Sequence, residues 1–345
     1  RILVHQKPAG ISVLVTPWNY PAAMGTRKIG PALAAGCPVI VNPASETPLT
    51  MLALMPILAE AGVPPGIVNI LTSRSSGRVV GEMLSDLRTR VISFTGSTDV
   101  GRKLLHAAAD NVVKPAMELG GNAPFIVCQD ADLNAAADGL MVAKMRNLGE
   151  ACTAANRIYV HENVATEFVD LFVAKMANLK MGDGRDHSID VGPLVNLETR
   201  DKVDYFVRDA VSKGAVIKLG GQKPVGKGFF YPPTVITNVP DTAECLSDEI
   251  FGPVAAIQTF SDEMEIVQRS NATEYGLVAY VYTSDMKRGM RISESLEFGM
   301  IGLNRGLVSD PASPFGGVKQ SGLGREGGKE GMLEFQETQY ISTEW

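Results

Sequence analysis

Arg90-Val-Ile-Ser-Phe-Thr-Gly-Ser-Thr-Asp-Val-Gly-Arg-Lys-Leu-Leu-His-Ala-Ala-Ala109 reads as a strand running into a helix. Arg90–Phe94 is a short apolar run rich in β-branched residues, and Thr98–Ala109 suits a helix. Thr95-Gly96-Ser97 lies between them, and a turn followed by Ser97 or Thr98 is a helix-start signal. Free backbone N–H groups and the helix dipole at such a start favour a phosphate. The stretch is not GxGxxG, and in isolation a capped glycine turn is its commoner meaning.

The same alternation extends on both sides. Ile11–Val15, Val39–Val41 and Ile67–Leu71 are further strand-like runs, and Lys114–Leu119 is a weaker one. Met24–Ala35, Pro48–Ala61 and Gly77–Leu84 suit helices between them. Strands alternating with helices imply a parallel sheet with helices on its faces. Ligands bind such sheets beyond the carboxyl ends of the strands. After Gly121, helices are predicted near Leu133–Asn147 and Val164–Asn178 and a strand at Arg157–Val160. Gly220–Pro233 reads as a long surface loop, and Val254–Phe260 and Leu277–Tyr282 as strands of a second sheet. The alternating tail, Glu334–Trp345, reads as an exposed edge strand that finds a partner chain.

A chain of 345 residues is too long for one compact core, so two domains are expected. Its net charge of -6 argues against nonspecific binding to nucleic acid or a membrane surface. No apolar stretch approaches membrane-spanning length without Gly, Pro or charge. The four cysteines, Cys37, Cys128, Cys152 and Cys245, are scattered, without a CxxC pair or ligand-like spacing to the histidines. They read as reduced thiols of a cytoplasmic protein with no metal site. The chain opens at Arg1 with neither an initiator methionine nor a signal-peptide pattern, and reads as part of a longer protein.

Two further segments carry chemistry. Glu118-Leu-Gly-Gly-Asn122 sets a carboxylate beside two glycines; it suits a general base if desolvated, or a surface glutamate at a turn. Asn147-Leu-Gly-Glu-Ala-Cys152 places a cysteine after a glycine turn, at the expected start of a helix, where its thiolate would be favoured. A buried structural cysteine is the plain alternative, and it is the reading for Cys37, Cys128 and Cys245.

These segments occur in order with Thr16-Pro-Trp-Asn-Tyr-Pro21, Glu249-Ile-Phe-Gly-Pro253 and Pro314-Phe-Gly-Gly317. In that combination the chain resembles the aldehyde dehydrogenase superfamily over essentially its whole length. The resemblance implies an α/β fold with a Rossmann-type parallel-sheet cofactor domain and an α/β catalytic domain. It divides the chain into an oligomerisation strand (1–8), a dinucleotide-binding domain (9–120), a catalytic domain (121–320), and a return segment with an oligomerisation tail (321–345). The family's N-terminal helical region has no counterpart here.

By that resemblance Cys152 attacks the aldehyde, Asn19 holds the oxyanion, and Glu118 activates the water that hydrolyses the thioester. Trp18, Gly96 and Ser97 lie near the pyrophosphate, Glu249 binds the nicotinamide ribose, and Phe251 contacts the ring. The adenosine-ribose motif Lys-Pro-x-Glu reads Asn42-Pro-Ala-Ser45 here. Ser45 in place of glutamate leaves room for a 2′-phosphate, while Asn42 in place of lysine weakens either cofactor; the balance leans to NADP over NAD. Tyr20–Lys28, Asn42–Pro48 and Gly306–Ser309 look most like the succinate-semialdehyde branch, in which Arg27, Arg146 and Ser309 match the groups that bind the distal carboxylate. The implied partner is a small aldehyde bearing a carboxylate, with neither nucleic acid nor membrane involved, in a homodimer or homotetramer. Glutarate semialdehyde, a general aldehyde, or a chain that only binds nucleotide are the alternatives. A cysteine hydrolase would want a histidine base, and none of His5, His106, His161 and His187 sits in a motif suited to it.

Overall fold

The computed structural model describes every residue from Arg1 to Trp345. The chain divides into two compact units, one formed by Arg1–Gly120 with Ser309–Trp345 and the other by Gly121–Val308.

The first unit opens with β1 (Ile2–Pro8) and continues β2 (Ile11–Thr16), α1 (Pro21–Ala34), β3 (Val39–Pro43), α2 (Pro48–Glu60), β4 (Val68–Ile70), α3 (Ser76–Ser85), β5 (Thr89–Thr95), α4 (Thr98–Ala109) and β6 (Lys114–Glu118). The second holds β7 (Ala123–Val127), α5 (Leu133–Met145), β8 (Ala155–His161), α6 (Ala165–Ala177), α7 (Leu197–Ser212), β9 (Val216–Leu219), β10 (Thr234–Thr237), β11 (Val254–Phe260), α8 (Glu263–Asn271), β12 (Val278–Tyr282), α9 (Met286–Ser295) and β13 (Met300–Leu303). The chain then returns to the first unit through β14 (Gly322–Leu323), α10 (Gly328–Leu333) and β15 (Gln336–Ser342).

The first unit's main sheet has the order β14-β6-β5-β2-β3-β4. β2 to β6 run parallel, and β14 closes one edge antiparallel to β6. Successive residues of a strand face opposite sides, and the core shows it. Leu14, Val39 and Val41 pack with Ile29, Ala32 and Met51 of α1 and α2. Val13, Ile92 and Phe94 pack with Val80, Leu84 and Leu104 of α3 and α4. Apolar residues on both faces are what a helix-sandwiched parallel sheet requires. The chain builds outward from β2 to β4 and then back from β5 to β6, so the strand order reverses between β2 and β5.

One expectation needs correction. The boundary expected after residue 320 falls after Val308, because Ser309–Gln320 is tied to the first unit. Phe315 and Glu326 exchange backbone hydrogen bonds of 2.6 and 2.7 Å, and Thr98 Oγ1 donates to the Gln320 carbonyl at 3.3 Å. The tail strand β15 pairs on one edge with the protein's own β1, antiparallel from Ile2↔Ser342 to Pro8↔Gln336. The resulting two-stranded ribbon is almost wholly exposed.

The second unit's sheet has the order β13-β12-β7-β8-β11-β10-β9, parallel except for β9. β7 and β12 are buried along their whole length. Gly220–Pro233 carries no regular element. No helix is long and apolar enough to cross a membrane.

Candidate active site

In the first unit the carboxyl ends of the strands form a row. Glu118 is in register with Thr95, Phe94 with Val15, and Thr16 with Pro43. Glu118 Oε2, Thr95 Oγ1, Thr16 Oγ1 and Asn42 Oδ1 are all buried there without a hydrogen-bond partner. A buried polar atom left unpaired costs about 1–3 kcal/mol. A row of them at the reversal of strand order is the place where such a sheet takes a polar ligand. Trp18 and Asn19 sit on the bend between β2 and α1, and the Trp18 carbonyl accepts from Thr47 Oγ1 at 3.3 Å. Gly96 follows β5, and Ser97 caps α4, its Oγ accepting from the Val100 N–H at 3.4 Å. Asn42 lies at the end of β3 and donates to the Leu71 carbonyl at 2.7 Å, while Ser45 donates to Glu46 at 3.0 Å. These residues fit a dinucleotide along this edge.

Arg27 and Ser309 are 282 positions apart in the chain, and the fold joins them: Arg27 Nη2 donates to Ser309 Oγ at 2.8 Å. The guanidinium lies 4.5 Å from the Phe315 ring centre and 3.9 Å from Glu326. Next to it on α1, Lys28 is fully buried and divides its ammonium between Ser93 Oγ and Glu326. Burial holds the Glu118 carboxyl well above the usual carboxylate range, helped by Glu326 and opposed by Lys28, Arg325 and Arg27. A desolvated carboxyl of this kind suits general-base work.

The second unit holds Cys152, Glu249, Phe251 and Arg146. The expected helix start at Cys152 is not there: the residue lies in a turn that leads into β8. Its loop is shaped instead by the backbone, since Asn147, Leu148 and Gly149 have φ of 52°, 60° and 75° in succession. A Cβ at Gly149 would come within 2.3 Å of the Gly252 carbonyl oxygen. A Cβ at Gly121 would stand 2.3 Å from the Cys152 carbonyl oxygen, so glycine is required at both places. Cys152 is partly exposed, whereas Cys37, Cys128 and Cys245 are buried. Burial pushes the Cys128 and Cys245 thiols up to about 12, as inert structural cysteines require.

Glu249 accepts from the Gly121 N–H at 3.3 Å, and Phe251 two residues on has a positive φ of 55°. Arg146 Nη2 donates to Thr153 Oγ1 at 3.3 Å, beside the cysteine. The loop carrying Glu249 is anchored by two buried asparagines. Asn122 donates to the Leu246 and Ser247 carbonyls, and Asn156 donates to Asn122 Oδ1 and to the Cys245 and Asp248 carbonyls while accepting from the Ile250 N–H. Sequence reasoning missed this anchor, and it missed Lys144, whose ammonium is buried at the end of α5 without a hydrogen-bond partner. Desolvation lowers Lys144 to about 7, against the pull of Glu249 and Cys245, and raises Glu249 to about 7. A lysine within a predicted helix gives no sign of being buried. Asn156 adjoins the predicted strand and Arg157 opens it, and neither gave a sign of its buried hydrogen bonds. No group of His, Cys, Asp and Glu side chains is arranged to hold a metal ion.

The chain belongs to the aldehyde dehydrogenase family, whose profile matches residues 1–341. It is 52% identical over 341 residues to the succinate-semialdehyde dehydrogenase of Paenarthrobacter nicotinovorans, an alignment covering 99% of this chain and 76% of that protein. It is 46% identical to a glutarate-semialdehyde dehydrogenase of Pseudomonas aeruginosa, covering 99% of this chain and 70% of the relative. A crystal structure of an NADP-dependent enzyme from E. coli superposes with a TM-score of 0.97 at 44% identity, over 99% of this chain and 71% of that one.

Proposed function

We propose that this protein oxidises succinate semialdehyde to succinate with NADP or NAD, through a thioester on Cys152. The observation that carries the substrate class is the Arg27–Ser309 pair. A half-buried guanidinium stacked on Phe315 and hydrogen-bonded to a serine hydroxyl suits a carboxylate, which takes two parallel donors from a guanidinium fork. Arg146, tied to Thr153 beside the nucleophile, is the second cation assigned to the substrate.

When bound, the nicotinamide accepts the hydride. The polar row at Thr16, Asn42, Thr95 and Ser97 would hold the dinucleotide along the first sheet, with Glu249 on the nicotinamide ribose and Phe251 against the ring. The chain's own residues do the rest. The Cys152 sulfur attacks the aldehyde carbon, and the Asn19 amide stabilises the oxygen that becomes negative. Aimed donors of this kind contribute roughly 3–4 kcal/mol to acyl transfer. After oxidation the acyl group stays on sulfur. Glu118 then takes a proton from water, which displaces the thiolate and releases the carboxylic acid.

The P. aeruginosa relative favours a second substrate, glutarate semialdehyde. The same carboxylate-binding pair serves it, since one methylene is worth only about 1–3 kcal/mol in discrimination. Steady-state kinetics on Arg27→Ala tests the assignment. We expect KM for succinate semialdehyde to rise about 10- to 100-fold, the loss of a charged hydrogen-bonding partner, with little change for an uncharged aldehyde. Equal effects on both aldehydes would remove Arg27 from the substrate site.

A further inference from the structure

The turn that carries Cys152 is costly to hold. Asn147 and Leu148 sit in the left-handed region without being glycine, and such residues persist only where the surroundings fix them. Within the turn, the Glu150 N–H donates to the Asn147 carbonyl at 2.9 Å and the Asn147 side-chain amide donates to the Glu150 carbonyl at 3.1 Å. Two contacts reach it from outside. Glu150 is buried, and its side-chain carboxyl accepts from the Val195 N–H at 3.0 Å. Val195 adjoins Asn196, which caps α7 by accepting from the Thr199 N–H at 2.8 Å, so this contact ties the turn to a fixed helix start. On the other side, the Tyr280 hydroxyl donates to the Thr153 carbonyl at 2.8 Å. Tyr280 lies in the middle of β12 and is fully buried, in register with Phe125 on β7 and Gly302 on β13. Its ring centre is 5.7 Å from that of Phe125, and a Cβ at Gly302 would come within 2.8 Å of the ring. Neighbours on both strands therefore fix where the hydroxyl points.

We propose that Glu150 and Tyr280 are positioning residues for Cys152, clamping its turn from two residues before the nucleophile and from one residue after it. Both act through the chain of the turn and not on the aldehyde. This rests on the reading of Cys152 as nucleophile and adds the means by which its sulfur is aimed. Attack on a carbonyl carbon needs the sulfur within a narrow range of distance and angle, and a displacement of about 1 Å can cost about 10²-fold in rate. Thr153 links the clamp to the substrate side as well, since its Oγ1 accepts from Arg146. What Glu150 supplies is an acceptor. Burial raises its carboxyl to about 7, and a neutral carboxyl keeps a carbonyl oxygen that accepts from an N–H. An amide oxygen in the same place should therefore serve.

Steady-state kinetics on the 345-residue chain, with amide exchange read by mass spectrometry, tests the clamp. Tyr280→Phe keeps the ring and removes only the hydroxyl; Glu150→Ala removes the acceptor and Glu150→Gln keeps one. In Tyr280→Phe and in Glu150→Ala we expect kcat to fall about 5- to 50-fold, while KM for an uncharged aldehyde and NADP affinity stay within about twofold. Exchange across Asn147–Ala155 should quicken in both by about tenfold, the scale of one lost hydrogen bond. Glu150→Gln should stay within about threefold of the wild type in every reading, since an amide oxygen accepts as a carboxyl oxygen does. Circular dichroism confirms that the variants fold. The proposal is overturned if Tyr280→Phe matches the wild type in kcat or in exchange. It is also overturned if kcat, KM and NADP affinity all worsen together, as a general loss of structure would cause. Glu150→Gln as slow as Glu150→Ala would make charge, not the acceptor, the working part, and would remove Glu150 from the clamp. If Cys152→Ala keeps wild-type oxidation, the nucleophile reading itself falls; if Cys152→Ala is inactive and Tyr280→Phe is unchanged, only the clamp falls.

Discussion

The carboxyl edge of the first sheet and the asparagine anchor of the second unit treat buried polar atoms in opposite ways. At the carboxyl edge of the first sheet, Thr16, Asn42, Thr95 and Glu118 each keep an oxygen that is buried and unsatisfied. In the second unit, Asn122, Asn156 and Arg157 are buried to a similar degree, yet their donors are engaged: Arg157 alone reaches the carbonyls of Asn122, Arg269 and Ser270. The first pattern leaves acceptor oxygens along one edge that a polar ligand would satisfy. The second is a scaffold that holds the loop bearing Glu249. Preorganisation of the reacting groups on one side and incomplete polar satisfaction on the other suit a protein that binds a large cofactor and reacts a small substrate.

The largest effect that would test this division is on the nucleophile. Cys152→Ala is expected to lower aldehyde oxidation by about 10⁴-fold or more, while dinucleotide binding, read by fluorescence, stays intact. Loss of binding together with activity would mean the two functions are not separable by unit. Glu118→Gln should slow turnover by about 10²- to 10⁴-fold and leave an acyl group on Cys152 visible in the intact mass. Because burial raises the Glu118 carboxyl, wild-type thioester hydrolysis should accelerate as pH rises through its folded-state value, when the base loses its proton. A flat profile in Glu118→Gln sharpens the assignment, and an unchanged one removes it.

Smaller effects probe the scaffold. Asn156→Ala strips hydrogen bonds from the Asn122 side chain, two carbonyls and the Ile250 N–H, and should cost about 2–4 kcal/mol in urea unfolding. A change below 1 kcal/mol, of the size common at surface positions, would show that the anchor is not what holds the Glu249 loop. Lys144→Met replaces a buried, unpartnered ammonium by an apolar side chain of similar length. Desolvation lowers the Lys144 pKa to about 7 from its ordinary 10.5, so the folded state binds fewer protons than the unfolded state between those values. The resulting penalty is complete below pH 7 and fades as pH rises toward 10.5. Lys144→Met should therefore raise Tm by roughly 2–8 °C at pH 7 and by little near pH 10. A loss of stability at pH 7 would indicate that the Lys144 charge is used by Glu249.

Much of the first sheet was legible because its strands are continuous apolar runs separated by helical ones, and burial on both faces leaves no other pattern. β2, β3, β5 and α4 fall within two residues of their predicted places. α7, α8, α9 and β13 were not read, because amphipathic helices with low mean hydropathy and a four-residue strand resemble loops in one dimension. The helix expected after Cys152 failed for a related reason. A glycine before a cysteine signals a turn, but whether strand or helix follows depends on β8 pairing with β7 and β11.

Residue type and order alone determined that this chain carries a parallel-sheet unit, a candidate nucleophile at Cys152 and a carboxylate at Glu118, because those signals are local and chemical. Only the tertiary structure decided which atoms those signals meet. The chain's return at Ser309 brings a serine to Arg27, Glu326 to Lys28, and β15 to β1 across most of the sequence length. Desolvation and pairing depend on such long-range closure, so the raised Glu118, the stranded Lys144 and the unsatisfied edge could arise only once the core had excluded water around them.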